Sequence, residues 1–295
     1  MAPDKIIAID WSGRIDAAGQ RRYIAAAIWT PNTITIESGR TREEWIVWLI
    51  EQAQQTPKLV VSLDCCYSYP AWFLAEHNCK TVFDFWRHVA SGEGEKWLAQ
   101  TCTPRDERFW GKPHKKPALF CGEGMPRMMR LTDMENKIVA GMSEARAAKV
   151  RGIAPKSPFQ IGGSGSVGTG TLRAIPFLLQ LHEAGFRFWP FESAALNNKH
   201  PKPLVIEMYA RLLTGAVKKS SAEARRTYLR SKMREDKFYS TLKRSIVAKA
   251  IASEDAFDAI ISAMEMARHA DDFAKLKKTR NPIRQLEGIT WVPSL

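Results

Sequence analysis

The sequence predicts an α/β domain in which a mixed sheet is flanked by helices. Three short strands open the chain, KIIAID at 5–10, YIAAAIW at 23–29 and TITIE at 33–37, and the last alternates apolar and polar residues at period two. Turn signals lie between them, at Trp11–Gly13 and at Pro31. The spacing therefore predicts a three-stranded antiparallel meander, after which helical patterns alternate with further apolar strands.

The next elements follow from capping signals and apolar runs. Thr41 with Glu44 three residues later forms a capping box, which predicts the start of a helix. LVVSL at 59–63 is a buried strand that ends at Asp64. Further on, apolar patterns predict helices at 172–183 and 253–268 and strands at 186–191 and 204–209. We expect one domain over 1–295, with 70–158 forming a helical insertion or cap.

The composition favours a folded domain outside the membrane. Hydrophobic residues make up 45% of the chain, enough for a core without disulfides. No segment is typical of a signal peptide or of a membrane span. The five cysteines include no CxxC pair. We therefore expect a cytoplasmic protein with no membrane partner.

Positive charge is concentrated in one stretch of a chain whose net charge is +13. Twelve Lys or Arg but only three Asp or Glu lie between Arg211 and Lys249. Clustered cations attract phosphate backbones by releasing counterions, so nucleic acid is one expected partner. A solvated helix face would have the same composition, and the charge pattern alone does not separate the two.

Several acidic residues lie at positions where functional sites of α/β proteins are often found. Asp10 and Asp64 each end an apolar strand, at the rim of the sheet where ligands of α/β proteins bind. Asp255 and Asp258 lie three residues apart on one side of the helix that begins near Ser253. Glu207 lies within an apolar strand. Asp10 and Asp64 taken singly are also compatible with a cap or a turn, and acids in the first turn of a helix also suit its dipole.

A group of converging carboxylates would favour a bound cation over acid–base chemistry by the protein alone. Without a cation, neighbouring carboxylates repel each other and their pKa values rise. Mg²⁺ and Mn²⁺ prefer oxygen ligands, and two such ions can stabilise both ends of a phosphodiester displacement. We therefore expect Mg²⁺ or Mn²⁺ as the cofactor.

The order of these elements and acids resembles that of ribonuclease-H-like nucleases. EDAFDAIISAM at 254–264 is similar to the late helix of Holliday-junction resolvases. The wider pattern resembles a family predicted to be ribonuclease-H-like nucleases, domain of unknown function 429. The matching motifs are IAIDWSG, LVVSLDCCYSYP, GGSGSVGTGTLRAI, LVIEMYARLLTG and EDAFDAIISAM.

The resemblance implies a ribonuclease-H-like mixed sheet and a set of metal ligands. Those ligands would be Asp10, Asp64, Glu207 and Asp258, with Asp255 as a fifth or an alternate. Resolvase-type enzymes often have Glu where this chain has Asp64, and the shorter side chain could weaken one metal position. The match is thin between about 70 and 155.

Several residues are candidates for contacts with substrate phosphates. The glycine-rich segment 159–171 precedes a helix and could present N–H groups to a phosphate, although it lacks the GK[ST] ending of a P-loop. A flexible connector is the other interpretation of that segment. The candidates are Ser12, Ser164, Ser166, Thr169, Lys218, Lys219, Arg225 and Arg226.

The expected function is a metal-dependent nuclease that hydrolyses phosphodiester bonds of DNA or RNA by a two-metal mechanism. One alternative is a protein of the same fold that binds nucleic acid without turnover. A second is an actin-like phosphotransferase or ATPase, because Asp10–Gly13 also resembles the phosphate-binding first hairpin of that superfamily. A second phosphate loop of that superfamily is not found in the sequence.

Overall fold

The computed structural model describes residues 2–31, 33–100, 104–111, 116–118, 126–142, 155–163, 166–215 and 217–293. The strands are β1 (Lys5–Asp10), β2 (Ala25–Thr30), β3 (Thr33–Ser38), β4 (Leu59–Leu63), β5 (Arg187–Trp189) and β6 (Leu204–Glu207). The helices of the first half are α1 (Ala17–Tyr23), α2 (Arg42–Gln55), α3 (Ala71–Glu76), α4 (Val82–His88), α5 (Gly94–Ala99) and α6 (Leu131–Met142). Those of the second half are α7 (Val167–Glu183), α8 (Ala210–Thr214), α9 (Ala222–Glu235), α10 (Lys237–Ser240), α11 (Arg244–Ala252), α12 (Glu254–Arg268), α13 (Ala270–Phe273) and α14 (Arg284–Glu287). A π-helical turn, Val89–Glu93, joins α4 to α5, and a 3₁₀ turn, Pro126–Met128, precedes α6.

The described strands form one mixed sheet in the order β3-β2-β1-β4-β6-β5. β1, β2 and β3 pair antiparallel, as the meander predicts. β4 pairs parallel with β1, and β6 pairs parallel with both β4 and β5. The α/β class and the mixed sheet flanked by helices are therefore confirmed.

Both faces of the sheet are buried, because helices cover each of them. Side chains alternate along β1, so Ile7 and Ile9 join one core while Ile6 and Ala8 join the other. The first core also contains α2, α4 and α7 and the aromatic residues of 67–110. In the second core, α12 packs across β1 and β2.

The described part of 70–158 contains several helices, and its buried aromatic residues belong to the first core. Phe73, Phe85, Trp97 and Phe109 are buried together with Tyr69 of the preceding loop. This segment therefore shares its core with the sheet.

Alanines allow α12 to approach the sheet closely. Ala25 and Ala27 of β2 lie in the same core as Ala259 and Ala263 of α12. Short side chains on both surfaces reduce the separation that close packing needs. Ser253 caps α12 by accepting a hydrogen bond from the N–H of Ala256, as its sequence predicts. This packing brings the first turns of α12 towards the end of β1.

Several boundaries differ from the sequence interpretation. β5 ends at Trp189 and β6 at Glu207, each two residues before the predicted end. Tyr23 ends helix α1 and does not begin β2, and α1 has no counterpart in the prediction because its residues AAGQRRY show no apolar periodicity. Asp16 caps this helix. Helix α7 begins at Val167, five residues before the predicted start, so the glycine-rich segment forms its first turn.

Candidate metal centre

Three aspartates converge at one edge of the sheet. Asp10 ends β1, and Asp64 follows β4, whose register continues through the hydrogen bond from the N–H of Asp64 to the carbonyl of Ile9. Asp258 lies in the second turn of α12. One carboxylate oxygen from each of the three lies within 4.8 Å of the other two. This separation suits ligands that share one small divalent cation.

The convergence follows from the parallel part of the sheet. β1, β4 and β6 run in the same direction, with Ile9 opposite Leu63 and Leu63 opposite Glu207. Their carboxyl ends therefore meet at one edge, and acids at or after these ends are brought together.

The carboxyl groups of the cluster hold protons more tightly than ordinary aspartates. Burial, followed by repulsion from Asp258 and Asp64, raises the pKa of Asp10 well above its usual range. Burial raises the pKa of Asp64 to about 6 and that of Asp258 to about 7, although nearby Lys219 opposes both increases. Such shifts show that negative charge here is poorly compensated by the protein, which a bound cation would correct.

Asp258 is the most deeply placed of the three, with 2% of its surface exposed. Its Oδ2 accepts a hydrogen bond from the ammonium of Lys219. Its Oδ1 is buried and has no hydrogen-bond partner among the described residues. A buried carboxylate oxygen without a partner is energetically costly, so this atom fits a cation ligand.

Asp255 lies at the margin of the cluster. It is half-buried, and its carboxyl group is within hydrogen-bonding reach of that of Asp10. Burial, then repulsion from Glu254, raises its pKa. It is adjacent to the three converging acids without belonging to the group that can share one ion.

The expectation that Glu207 is a metal ligand disagrees with the structure. Oε1 of Glu207 accepts hydrogen bonds from Arg130 at 2.7 Å and from Thr290 at 2.6 Å. Oε2 accepts from Arg130 at 2.7 Å and from the N–H of Tyr67 at 2.8 Å. An ionised carboxylate accepts about four hydrogen bonds, so no acceptor remains for a metal.

Arg130 is the centre of this second set of charges, and it is not among the site residues that the sequence predicts. The residue is 1% exposed and binds Asp133 through two hydrogen bonds of 2.9 Å in addition to Glu207. The sequence does contain one local indication of this pair, because Arg130 and Asp133 are three residues apart near the start of a helix. Its partner Glu207 is 77 positions away, and no local pattern indicates that pairing.

A cavity of about 580 Å³ opens beside Asp10 and Asp64. Its walls include Ser12, Ser166, Thr169 and Arg173. Of the predicted phosphate contacts, Ser12 and Ser166 are therefore at the cavity. Thr169 is there too, but its hydroxyl already donates to the carbonyl of Ile161 at 2.7 Å. Ser164 lies outside the described residues.

Two arginines hold the loop that follows β1. Arg42 donates to the carbonyls of Ser12 at 3.0 Å and of Arg14 at 2.6 Å. Arg173 donates to the carbonyl of Gly13. Gly13 packs directly on the first turn of α7, where an added Cβ would lie 2.8 Å from the nitrogen of Gly170. The loop and the start of α7 therefore form one fixed wall of the cavity.

The Lys and Arg residues that are expected to contact phosphate lie in different environments. Lys218 is exposed, whereas Lys219 is bound to Asp258 and turned inward. Arg225, another expected phosphate contact, is 5% exposed, and its guanidinium donates to backbone carbonyls, so these donors stabilise the fold. Arg226 pairs with Glu223 on the surface of α9.

The described tryptophans and cysteines between positions 65 and 110 are buried or half-buried. Trp86, Trp97 and Trp110 are buried, and Trp72 is half-buried against Phe159. Burial raises the pKa of the Cys65 and Cys66 thiols well above their usual range, so neither is a nucleophile at neutral pH. Of the described helices, none is both long enough and apolar enough to cross a membrane.

Comparison with known proteins gives no match, whether to protein-family models, to curated proteins or to solved structures.

Proposed function

We propose that this chain is a ribonuclease-H-like nuclease that uses a divalent cation, Mg²⁺ or Mn²⁺, to hydrolyse phosphodiester bonds of nucleic acid. The observation that carries the proposal is the convergence of Asp10, Asp64 and Asp258, together with the buried, unpartnered Oδ1 of Asp258. The meander, the acid-ending strands β1 and β4 and the late acidic helix occur in the order typical of such nucleases.

The three aspartates would hold the cation. When bound, the ion would neutralise charge on the phosphate and activate water. The carboxylates themselves keep the ion at the sheet edge, since β1 and β4 fix two of them and α12 fixes the third. Glu207 contributes indirectly: by binding Arg130 it ties the end of β6 to the start of α6.

The cavity wall supports a role in binding phosphate. Ser12, Ser166 and Arg173 lie in it, close to the start of α7, a helix whose first residue has no side-chain cap. The N–H of Gly168 already donates to the carbonyl of Gln160, but the other N–H groups of the first turn and the helix dipole favour anions there. A phosphate in the cavity would lie beside Asp10 and Asp64.

Exposed cations provide a surface for the rest of a nucleic-acid chain. The exposed members of the basic stretch are Lys218, Arg230, Arg234, Lys237, Lys243, Arg244 and Lys249. Because these side chains are exposed to solvent, they can contact successive phosphates of a nucleic-acid backbone.

A cleavage assay with Mg²⁺ and with Mn²⁺ tests the proposal on single-stranded, duplex and branched DNA and RNA. We expect cleavage by the wild type and its loss in Asp10→Asn and Asp258→Asn. Asp271→Asn is a matched control, because Asp271 is an exposed acid of α13 away from the cluster. Undiminished cleavage by Asp10→Asn would refute the carboxylate site.

A second candidate is a nucleic-acid-binding protein without turnover. The ion pair of Lys219 with Asp258 favours it, because the protein itself compensates part of the charge in the cluster. Binding that weakens as salt rises, without cleavage under either metal, would support this alternative.

A further inference from the structure

The ammonium group of Lys219 lies among the three aspartates. Its Nζ donates to Oδ2 of Asp258, and it also interacts electrostatically with Asp64 and Asp10. Only 15% of its side chain is exposed. A cation in this position is part of the charge balance of the cluster.

The backbone holds Lys219 in this place. It lies in a tight turn, where its N–H donates to the carbonyl of Val217 at 2.9 Å. Arg211 donates to that same carbonyl, and Arg225 donates to the carbonyl of Lys219. Arg225 is itself anchored to Ile251 at the end of α11. The turn is therefore fixed by two guanidinium groups, and Lys219 reaches the cluster from a rigid base.

This arrangement limits how many metal ions the cluster can hold. Lys219 occupies Oδ2 of Asp258, and Arg130 and other donors occupy every acceptor of Glu207. A second divalent ion would lack those oxygens and would be repelled by the neighbouring ammonium. Three converging carboxylates, one of them half engaged, are sufficient for one ion.

We infer that the site takes one divalent ion, held by Asp10, Asp64 and Asp258, and that the Lys219 ammonium stands where a second ion would otherwise bind. This inference rests on the proposed function and departs from the two-metal mechanism expected from the sequence.

Manganese titration of the EDTA-treated full chain tests the inference, with stoichiometry from calorimetry and the electron paramagnetic resonance signal as readouts. The wild type should bind one Mn²⁺ per chain and give the hyperfine-resolved signal of an isolated ion. Lys219→Met should bind a second Mn²⁺ and give a spin-coupled signal. Lys219→Arg keeps the charge and Lys218→Met removes an exposed neighbouring charge, so both should bind one ion.

Two ions in the wild type, or one ion in a folded Lys219→Met, would overturn the inference. If the Met variant does not fold, the wild-type count decides between one ion and two. Absence of Mn²⁺ binding by the wild type would refute the proposed function itself, so the two failures are distinguishable.

Discussion

Replacing Asp64 by Asn should stabilise the metal-free protein at neutral pH, although it removes a proposed ligand. Burial raises the pKa of Asp64 from its ordinary value of 3.8 to about 6. The folded chain therefore binds this proton more tightly than the unfolded chain does. Stability falls as pH rises from about 4 to about 6, and the whole penalty is present above that range.

The size of the penalty follows from the shift. Each pKa unit corresponds to about 1.4 kcal/mol, so the ionised Asp64 costs about 3 kcal/mol at pH 8. Asn has nearly the same shape and no charge. Its carbonyl oxygen can still accept the hydrogen bond that the N–H of Ala210 donates to Asp64. For a chain of this size, we expect a gain of about 6 °C in Tm.

Thermal unfolding in EDTA between pH 4.5 and pH 8 measures this effect, with Asp271→Asn as the control for charge removal. The difference between Asp64→Asn and the wild type should be small at pH 4.5 and largest at pH 8. Added Mg²⁺ should stabilise the wild type by about 2.7 kcal/mol at 100 times its Kd and leave Asp64→Asn unchanged. A variant less stable than the wild type in EDTA at pH 8 would refute the reasoning.

Three further changes separate the roles of neighbouring residues. Glu207→Gln should lower the free energy of unfolding, measured in urea, by about 3 kcal/mol, because Arg130 loses a buried charged partner. The number of Mn²⁺ ions bound per chain should stay the same. Loss of the bound ion would show instead that Glu207 is a metal ligand. Gly13→Ala should slow cleavage by about 10²-fold, because the added Cβ pushes its loop off α7; an unchanged cleavage rate would contradict the packing argument. Lys249→Glu should weaken nucleic-acid binding and make its salt dependence shallower, as titrations at several salt concentrations would show; an unchanged slope would remove this residue from the interface.

Local patterns were sufficient for much of the fold and for the three aspartates. The capping box of Thr41 and Glu44 and the cap of Ser253 involve residues three apart, so the sequence displays them directly. Asp10 and Asp64 were predictable because each ends an apolar strand, and parallel strand ends meet at one edge. Helix α1 was missed because it is short and buries little apolar surface.

Long-range charge pairing was not predictable in the same way. Lys219 and Asp258 are 39 positions apart. No local pattern distinguishes Lys219 from the other Lys and Arg residues of the basic stretch. Which of these cations turns inward depends on the turn at 217–221 and on its two anchoring arginines. The sequence therefore indicated a basic surface, but not the one cation that belongs to the site.

Asp64 and Glu207 show how neighbouring acids at the ends of adjacent strands acquire opposite roles. Both follow or end a buried parallel strand, and the register places Glu207 opposite Leu63, so the two acids are offset by one residue along adjacent strands. Glu207 receives two hydrogen bonds from Arg130 and is neutralised within the protein. No guanidinium reaches Asp64 among the described residues, and the pKa of Asp64 is raised despite nearby Lys219, so its charge is only partly compensated. An acid left in this condition destabilises the fold unless a cation binds, which is why the metal-free stability of the chain is the most direct measure of its proposed site.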